Sequence, residues 1–258
     1  MSVIYFFIFL FSCILGAVVG LGGGVIIRPI LDAIGYHNVL NIAFLSSTAV
    51  LVMAVVSTVK KVQDGTSLNI RVAALLSVGA IVGGALGNLL LEHLVYIFYA
   101  EESVQLIQTV ATIAVLFLSI YFTASDRFRY KIDSTGFYPV IGVLLGASAI
   151  FLGIAGGPIN VPVFMVLFSM ASKDAAAYSI VVIFFAHFIR IVTMGFTTGF
   201  GIFDLNVLFF TLPAAVVGGA VGAIISRKLT DDAVKKGFNL TMVGLILLKF
   251  YNVYTFVN

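Results

Sequence analysis

The sequence contains very few charged residues, and this decides its class. Only 10% of its 258 residues are Asp, Glu, Lys or Arg, whereas 61% are hydrophobic. A soluble domain carries about 25% charged residues, so a water-facing surface cannot be built from this composition. Lipid must solvate most of the surface, which predicts an all-α polytopic membrane protein. The net charge of +3 does not indicate nucleic acid, because the basic residues lie in short loops between apolar runs.

Several chemical signatures are also absent from the sequence. The single cysteine, Cys13, excludes an internal disulfide and a cysteine metal cluster. No apolar segment carries paired carboxylates, a His-x-x-x-His pair or a Ser/His/Asp set, which argues against a membrane-embedded enzyme. No G-x-x-x-x-G-K loop is present, so ATP is not expected to be the direct energy source. We expect no catalytic residue, no metal ion and no cofactor.

Glycine, in contrast, is abundant and is concentrated in two breaks. The runs G-L-G-G-G at 20–24 and G-I-A-G-G-P at 153–158 interrupt apolar stretches and lie 133 residues apart. Each is followed by a short apolar limb, at 25–34 and 158–170, and the first limb should end in a polar turn at 32–38. About ten helical residues span ~15 Å, roughly half of a bilayer core. Interrupted helices of this kind form the binding sites of secondary transporters.

The second half of the chain repeats the first. The matched blocks are 41–46 with 174–179, 83–87 with 218–222, and 101–104 with 231–234. An internal duplication of this length predicts two membrane repeats, residues 1–125 and 137–258, joined by a polar cytoplasmic linker at 126–136. Each repeat should contain one broken helix followed by three full transmembrane helices.

The loop charges predict how the repeats are oriented. Basic residues cluster in three loops, at 60–71, 127–131 and 227–236. All three lie on one side only if each broken segment is a re-entrant hairpin, and the positive-inside rule makes that side cytoplasmic. Each repeat then crosses three times, so the second is inverted relative to the first. Both termini and an acidic loop at 92–102 are then outside a bacterial cytoplasmic (inner) membrane.

The two breaks form a candidate anion site. A helix that begins inside the membrane directs free backbone N–H groups and the positive end of its dipole at a ligand, and this geometry binds anions. The candidate substrate-binding residues at the breaks are Gly22, Gly23, Gly24, Ala155, Gly156 and Gly157. The alternative is that these small residues only allow tight packing or a sharp turn.

Polar side chains beside the breaks extend this candidate site. Arg28 lies one turn into the first limb, where an intramembrane arginine is functional by default; the alternative is that it snorkels to the outer interface. Asn160 in the second limb could donate to an oxyanion or cap a neighbouring helix. Ser47 and Ser179 follow the two limbs, and their hydroxyl groups line the cavity or serve ordinary helix packing.

Three further polar residues lie inside apolar segments. Arg190 either binds the anion along its path or snorkels to the outer lipid headgroups. His187, one turn earlier, is a candidate proton relay, with a packed histidine as the alternative. Lys249 has no acidic neighbour in sequence, so we expect its ammonium group to snorkel to the interface.

The doubled motif resembles that of the TauE/SafE family of sulfite exporters. Two copies of a glycine-rich run followed by a limb proline (Pro29 and Pro162), with four hydrophobic blocks per half, carry this resemblance over essentially the whole chain. The resemblance implies a secondary transporter that moves a small sulfur-containing oxyanion by alternating access, with sulfite as the first candidate. Arg28 departs from the small apolar residue that usually precedes the first proline, and Ala155 stands where the first motif has Gly22.

The partners implied are the small anionic substrate (sulfite, or a related sulfonate or thiosulfate) and the lipid bilayer, without nucleic acid. A homodimer is compatible with the sequence. The alternative functions are uptake or passive conduction of another organic or inorganic anion and, with less support, a membrane-embedded enzyme. Transport direction and coupling ion are left open by the sequence.

Overall fold

The computed structural model describes residues 2–65, 68–98, 101–125, 129–132 and 134–257. Within these residues the chain forms ten α-helices, two short 3₁₀ helices and no β-strand. The helices of the first half are α1 (Ser2–Val19), α2 (Gly24–Ile34), α3 (Val39–Gln63), α4 (Ile70–Phe98) and α5 (Glu101–Ala124). Those of the second half are α6 (Phe137–Leu152), α7 (Gly157–Leu167), α8 (Ser172–Thr197), α9 (Leu208–Lys228) and α10 (Asp231–Val257). The 3₁₀ helices, Phe200–Ile202 and Leu205–Val207, precede α9.

The predicted all-α polytopic membrane fold is confirmed. Five stretches are long and apolar enough to cross a membrane: Leu40–Gln63, Ile70–Leu91, Leu106–Ala124, Ser172–Thr197 and Leu205–Lys228. α10 is not among them, although its 27 residues are ample for a span of ~30 Å. It carries Lys249 and two asparagines among its apolar residues.

Both broken segments turn back on themselves. At one end of the first, the ring of Tyr5 at the start of α1 lies 5.6 Å from the ring of His37 just after α2. In the second, Tyr138 at the start of α6 stacks on Phe168 just after α7, with ring centroids 4.8 Å apart. Each short limb therefore runs back alongside the helix that precedes its break.

Small residues bring the long helices into close contact. α6 packs along α4, and α1 packs along α9. A Cβ atom on Gly79 or Gly83 of α4 would overlap the backbone of α6, and one on Gly218 of α9 would press against Leu10 and Cys13 of α1. Helices in lipid associate through such small residues, because no hydrophobic effect drives them together.

The same helix neighbours recur when the two halves are exchanged. The pair α1–α9 corresponds to α6–α4, α3–α9 to α8–α4, and α2–α10 to α7–α5. This is the pattern expected of an internal duplication. The repeat boundaries and the inversion across the membrane stay predictions, and part of the linker at 126–136 lies outside the described residues.

One predicted loop is wrong for most of its length. α4 continues to Phe98 and α5 begins at Glu101, so most of the acidic stretch at 92–102 is helical. Its leucine and glutamate residues favour helix, and the edge of an apolar run does not by itself end one. The polar turn predicted at 32–38 begins three residues late, because Asp32 lies inside α2, which ends at Ile34 and is capped by Gly35 with a left-handed φ of 67°.

Candidate anion site at the two helix breaks

The two breaks lie in direct contact. A Cβ atom on Gly157, the first residue of α7, would overlap the backbone of Leu21 in the first break. Cβ atoms placed on Gly22 and Gly24 would lie 3.1 and 3.2 Å from the Cβ of Ala155 in the second break. The structure therefore brings together the small residues that the sequence marked as one site.

Backbone geometry explains why glycine dominates here. Gly22 and Gly156 have φ of 68° and 81°, in the left-handed region that glycine adopts without steric cost. Ala155 adopts φ of 58° in the same region, where a side chain costs about 1–2 kcal/mol. The N-cap residues of α2 and α7, Gly23 and Gly156, make no side-chain capping bond, so no side chain competes for the first-turn N–H groups.

Arg28 joins the first limb to the second break. Its side chain is 5% exposed, and Nη2 donates a hydrogen bond of 2.9 Å to Oε1 of Gln108 on α5. The guanidinium fills the space that a side chain on Gly153 would occupy, while the Gln108 amide nitrogen donates to the Phe151 carbonyl. Arg28 thus points into the protein, which argues against the snorkelling alternative.

Further charges surround Arg28. Arg190 on α8 is 5% exposed and Lys249 on α10 is 7% exposed, and each is close enough to Arg28 for electrostatic repulsion. Asp32, half-buried one turn along α2, attracts both Arg28 and Lys249. Arg190 and Lys249 thus both lie near Arg28, and Asp32 attracts two of these three buried cations. We name Arg28, Asp32, Arg190 and Lys249 the charged cluster.

The other predicted site residues have different surroundings. The hydroxyl of Ser179 donates to the Gly20 carbonyl at 2.6 Å and ties α8 to the first break. Asn160 folds back towards Gly156, and both of its buried amide atoms have no hydrogen-bond partner among the described residues. Within the same part of the chain, the Ser47 hydroxyl and both His187 ring nitrogens are buried without a partner. His187 lies one turn before Arg190 and interacts with it electrostatically.

Comparison with known proteins identifies the family of this chain. A family model described as sulfite exporter TauE/SafE matches residues 5–249. The chain belongs to the sulfite exporter TauE/SafE family. No curated protein and no solved structure gives a significant match. Membership makes the chain a multi-pass membrane protein. Its family is one of sulfur-anion transporters rather than of enzymes.

Sequence reasoning about this TauE/SafE protein missed part of the charged cluster. The expectation that Lys249 snorkels is wrong, because its side chain is buried. Asp32 stands four residues after Arg28, a spacing that predicts an ion pair on one helix face, and this signal could have identified it. Gln108 gave no comparable signal, since it is one of two glutamines in α5 and a glutamine in an apolar helix has many roles.

The two ends of the TauE/SafE bundle differ in packing. Where α3 ends and α8 begins, a cavity of about 360 Å³ is present, and we name this the open end. Where α3 begins and α8 ends, Phe44 stacks on Phe203 at 4.3 Å, and both rings are buried together with Met194. The second end is therefore packed with aromatic side chains.

Proposed function

We propose that this protein is a secondary transporter that moves a small sulfur oxyanion by alternating access. Sulfite is the preferred candidate substrate. The observation that carries the proposal is the excess of buried positive charge in the charged cluster, beside two apposed helix breaks. A buried cation without a counter-charge is strongly unfavourable. A bound anion would supply the missing charge at Arg28, Arg190 and Lys249.

The groups at this site suit an oxyanion in particular. A guanidinium presents its N–H donors in a planar fork that matches the oxygen atoms of such an anion. The starts of α2 and α7 add backbone N–H groups and positive dipole ends without a competing side chain. The unpartnered amide of Asn160 is a further donor close to the second break.

The contrast between the bundle ends supports alternating access. Lys60, Arg71 and Arg227 lie near the open end, so the positive-inside rule makes that end cytoplasmic. The stack of Phe44 on Phe203 would then close the outer end. We infer a cytoplasm-facing state, from which the two halves rock about the contact between Leu21 and Gly157. The gradient of the anion then decides whether the protein exports or imports.

Flux into liposomes tests this function directly. Purified protein is reconstituted, and initial rates of uptake are measured for sulfite, thiosulfate, sulfate and sulfoacetate, with protein-free liposomes as the control. We expect saturable sulfite uptake that is accelerated by sulfite preloaded on the opposite side, because a carrier exchanges its substrate. Protein that moves none of the four anions would refute the substrate class. Flux that neither saturates nor responds to preloading would instead indicate passive conduction.

A further inference from the structure

The open end of the bundle contains a cavity outside the charged cluster. It lies between the end of α3, the start of α8 and the end of α9, and has a volume of about 360 Å³. The charged residues on which the inference depends are Lys61, Asp64, Lys173, Asp174, Arg227 and Asp231. We name this space the inner cavity.

Lys61 is the unexplained group in the inner cavity. Its side chain is 6% exposed, and its ammonium nitrogen has no hydrogen-bond partner among the described residues. Lys173 on the facing helix adds a second positive charge that repels it. A buried ammonium group without a partner is unfavourable, so this site favours an anion.

Three carboxylates line the inner cavity, and each of them faces a group other than Lys61: Asp174 interacts electrostatically with Lys173 and Asp231. Asp64 lies 3.2 Å from Nη1 of Arg227 and 3.8 Å from Nζ of Lys60. Asp231 accepts a hydrogen bond of 2.9 Å from the backbone nitrogen of Lys173. These contacts join α3, α8, α9 and α10 into a polar frame and leave Lys61 without a counter-charge from it.

The start of α8 forms another wall of the inner cavity. The helix N-cap, Ala171, makes no side-chain capping bond, but Asp231 accepts from the Lys173 backbone nitrogen and Asp174 lies in the first turn. These carboxylates already face the positive end of the helix, so Lys61 is the group that favours an anion here. Ala177 lines the cavity too, and its neighbour Ala176 packs against Gly20 of the first break. One helix, α8, thus contacts both the inner cavity and the first break.

The fold does not require a lysine at this position. Met194 is the residue of the second half that matches Lys61 at the 133-residue spacing, and it is buried in an apolar core. An unbranched apolar side chain therefore satisfies the packing at the equivalent point of α8.

We propose that the inner cavity is a second oxyanion site, held by Lys61 and separate from the helix breaks. Its occupant is a small oxyanion that is either the transported sulfur anion on its way to the breaks or the phosphate of a lipid headgroup. The first source rests on the proposed function, whereas the site itself does not.

Equilibrium binding of sulfite and of inorganic phosphate to the detergent-purified protein provides the test. We expect Lys61→Met to weaken oxyanion binding about tenfold, as loss of a charge-assisted hydrogen bond does, and Lys61→Arg to restore most of it. Lys228→Met is the matched control, because it makes the same change at an exposed position at the end of α9, next to the inner cavity. Lys61→Gln replaces Lys61→Met if the latter does not yield folded protein.

Nanodiscs of phosphatidylcholine, with or without phosphatidylglycerol, distinguish the two sources. If the occupant is a lipid headgroup, phosphatidylglycerol raises the Tm of the wild type but not that of Lys61→Met, and soluble anions bind both proteins equally. Equal behaviour of wild type, Lys61→Met and Lys228→Met in both arms overturns the second site. Wild-type protein that moves no sulfur anion in liposomes but still shows Lys61-dependent binding would refute the proposed function and leave this site standing.

Discussion

The two short limbs share a backbone but differ in charge. α2 and α7 are each 11 residues long, begin with a glycine and contain a proline at the same position. At the 133-residue spacing, Arg28 and Asp32 of α2 correspond to Val161 and Met165 of α7. The two limbs therefore share the helix break and the proline, while their side chains differ.

The surroundings of the two limbs diverged in the same way. Gln108 of α5 contacts the first limb, whereas Phe238 of α10, its counterpart at the 130-residue spacing, lies with Val161 and Met165 around a small space beside the second limb. Under the proposed function, the second limb contributes only the geometry of its break, whereas the first limb also contributes charge. We infer that the first limb selects the anion and that the second completes the site with its backbone.

Replacing the arginine tests this division of roles most strongly. Arg28→Ala should lower kcat/KM for sulfite uptake about hundredfold, because it removes a buried, hydrogen-bonded charge from the site. Val161→Ala at the equivalent position of the second limb should change it less than about fivefold. Uptake kinetics in liposomes, normalised to the amount of folded protein, provide the measurement. Equal losses in the two variants would show that the side chains of both limbs contact the substrate.

Replacing the first glycine of each limb should affect stability more in the second limb than in the first. A Cβ on Gly157 overlaps the Leu21 backbone, whereas one on Gly24 meets only side-chain carbons, at 3.0 Å in Val50 and 3.2 Å in Ala155. Gly157→Ala should therefore lower the free energy of unfolding by about 1–3 kcal/mol, as overpacking does. Gly24→Ala should change it by less than about 1 kcal/mol, since side chains shift more easily than backbone.

Thermal unfolding in detergent measures both glycine variants. Gly244→Ala is the matched control, because Gly244 lies in α10 with no atom within 4 Å of an added Cβ, and alanine favours helix over glycine. If Gly157→Ala is as stable as this control, the contact between the two breaks is looser than the structure describes.

The breaks could be predicted from the sequence because their signal is local. Glycine runs that interrupt apolar stretches are visible without any tertiary information, and their repetition indicated that they face each other. The charged cluster could not be assembled this way. Gln108 is 80 residues from Arg28, and Lys249 belongs to the last helix, so only packing reveals that they meet.

The two readings of Arg28 show the same limit. A snorkelling arginine and a buried one have the same sequence neighbourhood, and the difference depends on whether another helix supplies an acceptor. Helix ends were predicted less well for a related reason. α4 continues through Glu92 to Phe98, because hydropathy marks the lipid boundary rather than the end of the hydrogen-bonded helix.

Removing the carboxylate of the charged cluster, which the second limb lacks, should have a smaller effect on transport than replacing Arg28. Asp32 attracts Arg28 and Lys249 and is itself half-buried, so it competes with a bound anion for the same cations. Asp32→Asn should therefore lower the KM for sulfite about threefold, an effect the size of a partly solvated charge interaction. Asp232→Asn, an exposed carboxylate at the start of α10, is the control for the change in net charge.

The direction of this change distinguishes two roles for Asp32. If the carboxylate only balances buried positive charge, its loss strengthens anion binding, and the gain disappears when Arg28 is also replaced by alanine, because the two residues then have no shared interaction to lose. If the carboxylate instead holds Arg28 in the orientation that binds the anion, Asp32→Asn raises the KM. A raised KM with unchanged stability would therefore show that Asp32 orients Arg28 in the first limb. The first limb would then differ from the second, which has Met165 at this position, in how its arginine is oriented as well as in charge.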